Sequence, residues 1–403
     1  MTAKQKKATG PLAGLKVLDL SQIMAGPYCT MVLGDLGAEI VKIEKPGSGD
    51  DSRQMGPYVD GESASFAHIN RNKLGVVLDI KSERGREIVH QLAREADVVV
   101  ENFRVGVTER LGVDYKTLSA LNRRLIYCSI SGYGQTGPYA KKGGFDLVAQ
   151  GATGIMSITG EPDGRPLKSG IAIYDVGAGL TATYSILAAR IHQLQTGEGQ
   201  HIDISLAECG LPWFAWEAAA YFTKGIVPRA TGSRHRFDAP YQAFKTGDGF
   251  LVLGAANQRS WERLCRDVLG RSDLVEDPRF LTNSERMDNI DQLEPILEAE
   301  FAKRDAATWI ELCTAASVPC GPINDFHQAM NDPHYLARDM VMEVDHPVFG
   351  RMKVIGIPAK FSKTPGDIRL AAPTMGRDTD AVLEDLGFTP EQIKDLRVSG
   401  VVQ

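Results

Sequence analysis

The sequence predicts an α/β protein with a doubly wound, Rossmann-like large domain. Strand-type and helix-type segments alternate through its first half, and the strand-type segments are short apolar runs without a polar face. Strands buried on both faces read this way, and alternating them with helices builds a parallel sheet covered on both sides. Composition agrees: 403 residues, 43% hydrophobic and 24% charged, are ordinary for a globular chain of two or three domains.

Taken in order, Lys16 to Leu20 (KVLDL) is the first predicted strand, and Gly26 to Leu36 a helix of small and apolar residues. Glu39 to Glu44 (EIVKIE) and Val76 to Ile80 (VVLDI) are the next strands. Ser82 then caps a helix to Glu95, with Ile88, Leu92 and Ala96 at helical spacing. Asp97 to Glu101 (DVVVE) and Leu125 to Ile130 (LIYCSI) are further buried strands, followed by a long helix, Gly177 to Leu194, and a strand, His201 to Ser205. After Ala207 the character changes. Pro212 to Phe222 is an apolar, aromatic helical stretch in which Trp213 and Trp216 read as core, and a Gly/Pro/Arg loop runs from 225 to 240. A smaller mixed region follows, with a strand at Phe250 to Gly254 and helices at Ser260–Leu269, Ser284–Lys303 and Ala306–Ala316. Asp325 to Asp339 reads as a return linker, Val341 to Ile357 as a hairpin turning at Phe349-Gly350, and Asp378–Leu386 and Pro390–Leu396 as closing helices.

The net charge of −6 argues against a nucleic-acid or anionic-membrane surface. No apolar run approaches the roughly 18 residues of a membrane span. The basic start, Met1 to Gly10, lacks the apolar core of a secretory signal and the Arg-rich amphipathic pattern of a mitochondrial presequence, so it reads as a frayed terminus of a cytoplasmic protein. Six scattered cysteines without a CxxC pair are expected to be reduced and mostly buried. With no HExxH among the histidines, no metal is expected.

The turn after the first strand, Ser21 to Gly26 (SQIMAG), lacks G-x-G-x-x-G. Glu44 stands where a ribose-binding acid would, but the missing fingerprint disfavours NAD(P) and FAD and favours another nucleotide-containing ligand. Lys42, Lys45, Arg71, Lys73, Arg104 and Arg110 gather near predicted strand ends, either as a phosphate site or as a solvated rim. Gly132 to Tyr139 (GYGQTGPY) either offers N–H groups to an oxyanion or is a run of turns. Asp175, between glycines before the long helix, is either its N-cap or an ionised, accessible nucleophile. Arg234, His235 and Arg236 form either a solvated loop or a site for a substrate carboxylate.

Together, LAGLKVLDLSQIMAGPYCTMVLGDLGAEIVKIEKPGSGD (12–50), NRNKLGVVLDIKSERG (70–85), ADVVVENFRVGVTERLG (96–112), SGYGQTGPY (131–139), the Asp175 region, TGEGQHIDISLAE (196–208) and VPCGPIND (318–325) resemble the family III CoA-transferases. That family includes formyl-CoA:oxalate and carnitine CoA-transferases and α-methylacyl-CoA racemase. The resemblance puts the nucleophile at Asp175 and coenzyme contacts at Ala25, Lys45, Leu78, Lys81, Asn102, Phe103 and Arg110, with Arg104 and Phe145 as further coenzyme-binding candidates. Two departures narrow it. Phe145 stands where the racemase branch has its catalytic histidine, which disfavours racemisation, and the glycine-rich loop of the oxalate branch is missing after Pro240. The implied architecture is a large CoA-binding domain (1–224 and 335–403) with a small domain (225–334) inserted. In the family two such chains interlock as rings, with the active site between domains at the homodimer interface. The implied reaction moves coenzyme A from an acyl-CoA, such as succinyl-CoA, to a free carboxylic acid through an aspartyl anhydride and an aspartyl-CoA thioester. Acyl-CoA and acid are the only partners besides a second copy, with no permanent cofactor. The rival readings are an acyl-CoA racemase and a non-catalytic CoA-binding protein, and the retained Asp175 argues against the latter.

Overall fold

The computed structural model describes residues 9–403. Most of the basic start read as a frayed cytoplasmic terminus, residues 1–8, therefore lies outside the described residues. By its internal contacts the chain divides into two units. One comprises the residues up to 153 with 169–219 and 334–403, the other 154–168 with 220–333.

The first unit is built on six parallel strands: β1 (Lys16–Asp19), β2 (Glu39–Glu44), β3 (Lys73–Val77), β4 (Val98–Glu101), β5 (Ile126–Ser131) and β6 (His201–Ser205). Their order across the sheet is β3-β2-β1-β4-β5-β6, with Val17 of β1 between Ile40 and Val98. This is the order of a doubly wound nucleotide-binding sheet, which reverses direction between β1 and β4. The expected parallel sheet is therefore present. β3 differs from expectation by starting at Lys73 and ending at Val77, because Lys73 is fully buried on Asp19 while the apolar-run criterion passes over a lysine. Leu78 instead bridges to Val402 at the chain end.

Four helices of this unit matter for the site. Helix α1 (Ala25–Asp35) follows β1, and α2 (Glu83–Glu95) follows β3, with Ser82 accepting from the Gly85 N–H as its cap. Asp146–Thr153 forms α3, which the sequence pattern does not announce. The long helix, α4, spans Ile173–Thr196 and so begins four residues before the predicted Gly177. Gly177 and Gly179 weaken the helix pattern there, yet packing demands them. A Cβ on Gly177 would sit 2.3 Å from the Trp213 ring, and one on Gly179 2.8 Å from the Ala25 carbonyl. The final helices, Thr379–Asp385 and Pro390–Val398, bury Val382, Leu383, Ile393 and Leu396 in the same core as Leu18, Val76, Val99 and Tyr127. A hairpin of Val341–His346 and Gly350–Ile355 precedes them.

The second unit has three antiparallel strands, Tyr241–Lys245, Phe250–Gly254 and Cys320–Pro322, with the middle one in the centre. Trp261, Phe280, Leu297 and Phe301 fill its core. Two predicted helices are divided: Gln258–Arg263 continues as a π turn over Leu264–Val268, and Asn289 separates Asn283–Asp288 from Ile290–Phe301. The return linker holds two short helices, Phe326–Met330 and Pro333–Ala337. Trp213 and Trp216 correct the expectation of core: they are 43% and 64% exposed, since helical spacing gives a helix an apolar face without saying what faces it. All six cysteines are free, four of them buried. No described helix is long and apolar enough to cross a membrane.

Candidate active site

An open α/β sheet binds ligands beyond the carboxyl ends of its strands, where strand order reverses. At that place the segments following β1, β2, β3 and β4 enclose a cavity of about 440 Å³, a size suited to a small ligand. Lys45, Leu78, Lys81, Phe103 and Arg110 line it, so five of the predicted coenzyme-binding residues converge from three segments. Gln22 and Arg86 line it too and were missed by sequence reasoning. The only signal for Arg86 was its place one turn into a helix whose Ser82 cap sits at the same edge. Lys45 is exposed and paired with Asp51 at 2.5 Å.

The remaining coenzyme candidates lie around or away from this cavity. Asn102 donates to the Gln22 carbonyl at 2.7 Å and accepts from its N–H at 2.8 Å, tying β4 to the loop after β1. Ala25, buried, is the first residue of α1 and lies against Gly179 of α4. Arg104 is exposed and leans toward Gly143. Phe145 is 63% exposed and gives its carbonyl to the Ala149 N–H at the start of α3. Arg104 and Phe145 do not line the cavity.

Three of the basic residues gathered at strand ends are neither a phosphate site nor a solvated rim. Lys42 and Lys73 are fully buried on Asp50 and Asp19 at 2.8 and 3.0 Å, and Arg71 grips Asp35 at 2.7 Å. Burial would raise the Asp19 carboxyl, but Lys73 and Lys42 hold it well below the usual range. Burial lowers the Lys73 ammonium to about 8.

Asp175 lies in the first turn of α4 and is not its cap. Ala172 occupies the cap position without a side-chain bond, and Asp146 Oδ1 accepts from Tyr174 N at 2.8 Å and Asp175 N at 3.4 Å. Because the helix begins earlier than the glycines suggest, the aspartate is carried inside it. Burial first, and the Asp146 charge second, push Asp175 up to about 6. At neutral pH such a group remains roughly nine-tenths ionised, with more basicity than an ordinary aspartate. Its neighbour Tyr174 is buried, hydrogen-bonded to Thr153, and stands where a Cβ on Gly210 would be 2.1 Å from its ring. Trp213 meets Tyr174 edge-on at 5.1 Å.

The glycine-rich loop after β5 spends two N–H groups within the fold: Gly134 donates to Ser131 Oγ and Gln135 to Asp203, each at 2.9 Å. At its base Gly132 and Gly144 pass so closely that a Cβ on either would lie within 2.6 Å of the other's Cα. Sequence reasoning also missed Glu101, the last residue of β4. Only 2% exposed, it accepts from the Phe103 N–H at 2.8 Å, and burial pushes it up to about 7.

In the second unit, Arg234 is held by Asp291 at 2.7 Å and by Glu294. His235 Nδ1 lies 3.2 Å from Asp238, and Arg236 donates to the Ile158 carbonyl at 3.3 Å. Thus Arg234 already has two carboxylate partners.

Residues 12–379 match the sequence profile of CoA-transferase family III. The chain is 38% identical over 395 residues to the succinyl-CoA:glutarate CoA-transferase of Mus musculus, covering 98% of this chain and 90% of that one. It is 40% identical over 357 residues to the acetyl-CoA:oxalate CoA-transferase of Acetobacter aceti, covering 88% and 90%. Among solved structures, a CaiB/BaiF family protein from Brucella suis is similar with a TM-score of 0.84 and 38% identity, covering 94% of this chain and all of that one.

Proposed function

The chain belongs to CoA-transferase family III and is a CoA-transferase, and we propose that it moves coenzyme A from a dicarboxylyl-CoA such as succinyl-CoA to a free carboxylic acid, with Asp175 as the nucleophile. The observation that carries this reading is a carboxyl in the first turn of α4 that is largely ionised at neutral pH yet more basic than usual. That combination suits nucleophilic attack by a carboxylate. An Asp175 oxygen attacks the donor thioester carbonyl, and collapse of the tetrahedral adduct expels CoA thiolate and leaves a mixed anhydride. The thiolate attacks the aspartyl carbonyl, releasing the donor acid as carboxylate and forming an aspartyl-CoA thioester. The acceptor carboxylate attacks that thioester, expelling thiolate and forming a second anhydride. Attack of the thiolate on the acceptor's acyl carbon gives the product and restores Asp175. Overall one thioester is exchanged for another, so the transfer is near thermoneutral and needs no ATP.

In this reading Lys45, Lys81, Arg86 and Arg110 offer charge-assisted donors to the coenzyme's phosphates, while Leu78 and Phe103 give it apolar walls. Ala25 and Asn102 shape the loop beside it. A dicarboxylate substrate is supported by the relatives, whose names include glutarate and oxalate as acceptors. The oxalate relative shows that dicarboxylates of different length are handled among proteins this similar. The loop Arg234-His235-Arg236, in which Arg234 is compensated by two carboxylates, is the candidate for holding the far carboxylate. Phe145 has no titratable group, which disfavours the racemase reading.

We further propose a cytoplasmic, interlocked homodimer in which 1–224 with 335–403 form the CoA-binding part and 225–334 the inserted domain. Exposed Leu180, Tyr184 and Ile191 along α4, 45%, 62% and 59% accessible, support a partner on that face. The mechanism is tested with an oxygen-18-labelled acceptor. During turnover one label must pass to the Asp175 side chain, readable by mass spectrometry of the peptide, and Asp175→Ala must lose transfer while still binding CoA. Unlabelled Asp175 after many turnovers, or transfer by the alanine variant, overturns it.

A further inference from the structure

The loop joining β1 to α1 is held in an unusual way. Ser21 N donates to Asp19 at 2.9 Å, and the Ser21 carbonyl accepts from Lys42 Nζ at 2.8 Å. Both backbone groups of Gln22 are taken by Asn102, and Ile23 N donates to Asp50 Oδ1 at 3.0 Å. Five consecutive backbone polar groups are thus met by four side chains, Asp19 of β1 itself and Lys42, Asp50 and Asn102 from elsewhere in the sheet and its loops. Such a loop would ordinarily satisfy itself with turns or water.

The reason for this clamp lies at Ile23, whose φ is +69°. A β-branched residue in the left-handed region is a genuine outlier, since its Cβ crowds the backbone. Strain of this kind persists only where the surroundings hold it, and it concentrates at functional sites. Asp50 is well placed to hold it. Its Oδ1 also accepts from Ser52 N and Oγ, each at 2.8 Å, and its own N–H donates to Glu44 at 2.9 Å. Its Oδ2 lies 2.8 Å from Lys42 Nζ, both side chains being fully buried, and that lysine also reaches the Ser21 carbonyl. Neither residue lines the cavity, but Gln22 does, and Ala25 begins the helix packed on α4 one turn from Asp175.

We propose that Asp50 is a positioning residue for CoA transfer, holding Ile23 in its left-handed turn so that the β1–α1 loop forms a fixed wall of the coenzyme site. The proposal rests on acyl-CoA occupying that cavity. Freed of Asp50, Ile23 relaxes to negative φ, and the adjoining Gln22 and Met24 peptides rotate away from the geometry that receives the thioester. Glycine adopts positive φ without cost, so the same loop with Gly at 23 no longer needs the clamp.

The decisive experiment measures kcat and KM for succinyl-CoA with glutarate, together with the melting temperature, in four variants. Asp50→Ala is expected to lower kcat/KM about ten- to hundredfold, and adding Ile23→Gly to restore it to within about threefold. Asp50→Asn, which keeps the Oδ1 acceptor and loses the charge toward Lys42, should melt lower while retaining kcat. Ile23→Pro fixes φ near −65° and removes the N–H donor, so it should lose kcat to a similar degree with the buried ion pair intact. Ile23→Pro keeps the idea exposed to failure should Asp50→Ala not fold. Wild-type turnover in Ile23→Pro, or a defect in Asp50→Ala that Ile23→Gly leaves unchanged, overturns the inference. If Asp175→Ala is inactive while these variants are normal, the acyl-transfer reading stands and only this positioning role falls. Persistent transfer by Asp175→Ala removes the reading beneath it.

Discussion

The two titratable carboxyls beside the site respond to pH in different ways. In the proposed mechanism Asp175 attacks as the anion, so with its carboxyl pushed up to about 6 the transfer rate should fall as pH drops through 6. Burial is the larger cause and the Asp146 charge the smaller. Asp146→Asn keeps an acceptor for the Tyr174 and Asp175 N–H groups but removes the charge, so the acidic limb of the kcat profile should move to lower pH by less than about one unit. A limb that stays in place would assign the whole rise to burial. Glu101 acts on stability. Its folded value of about 7 lies above the ordinary carboxyl's 4.5, so between these pH values the unfolded chain ionises it while the folded chain does not. Stability is therefore highest below pH 4.5 on this account and is lost as pH rises to 7, by at most about 3 kcal/mol. Glu101→Gln should raise the melting temperature at pH 8 and change it little at pH 4.5. An equal shift at both would place the effect in packing. The raised values were not legible in the sequence: Glu101 ends an apolar strand run, and Asp175 reads either as a cap or as an ordinary ionised carboxylate until the helix is seen to begin at Ile173.

Among the elements, α4 is the one whose sequence pattern conceals its structure. Gly177 and Gly179 look like helix breakers but mark close approaches, to the Trp213 ring and to the Ala25 carbonyl. Gly177→Ala improves intrinsic helix propensity, yet its Cβ would lie 2.3 Å from an aromatic carbon, so it should destabilise by about 1–3 kcal/mol. Displacing Trp213 also disturbs Tyr174, next to the proposed nucleophile Asp175, so kcat should fall with it. Urea unfolding and steady-state assays check both, and a more stable, fully active variant would show that the tryptophan moves freely. The β1–α1 loop makes the opposite point. The absence of G-x-G-x-x-G was visible, but the side chains that replace glycine's freedom come from residues 19, 42, 50 and 102. Their convergence follows from strand order, which no local window contains.

For the whole molecule, the dimer proposed above predicts that dilution yields no folded monomer. Light scattering across a hundredfold dilution should keep the dimeric mass, and a stable monomer that retains its circular dichroism would exclude interlocked chains. Local residue patterns were enough to announce the alternating strands and helices, the buried character of Val98–Glu101 and Ile126–Ser131, the Ser82 cap and the motifs that carry the family resemblance. Those properties depend on residues within one or two turns of one another. Five of the coenzyme candidates line one cavity, because strand ends in a parallel sheet share an edge. Only the tertiary structure decided which charges are buried on carboxylates and which line the cavity. Lys42, Lys73 and Arg71 look in the sequence like Lys45, Lys81 and Arg110, yet the first three are buried on aspartates and the others line the cavity. A cation's role is fixed by which carboxylate comes within a few ångströms in space, and Asp19 and Lys73 stand 54 residues apart in the chain but 3.0 Å apart in the fold.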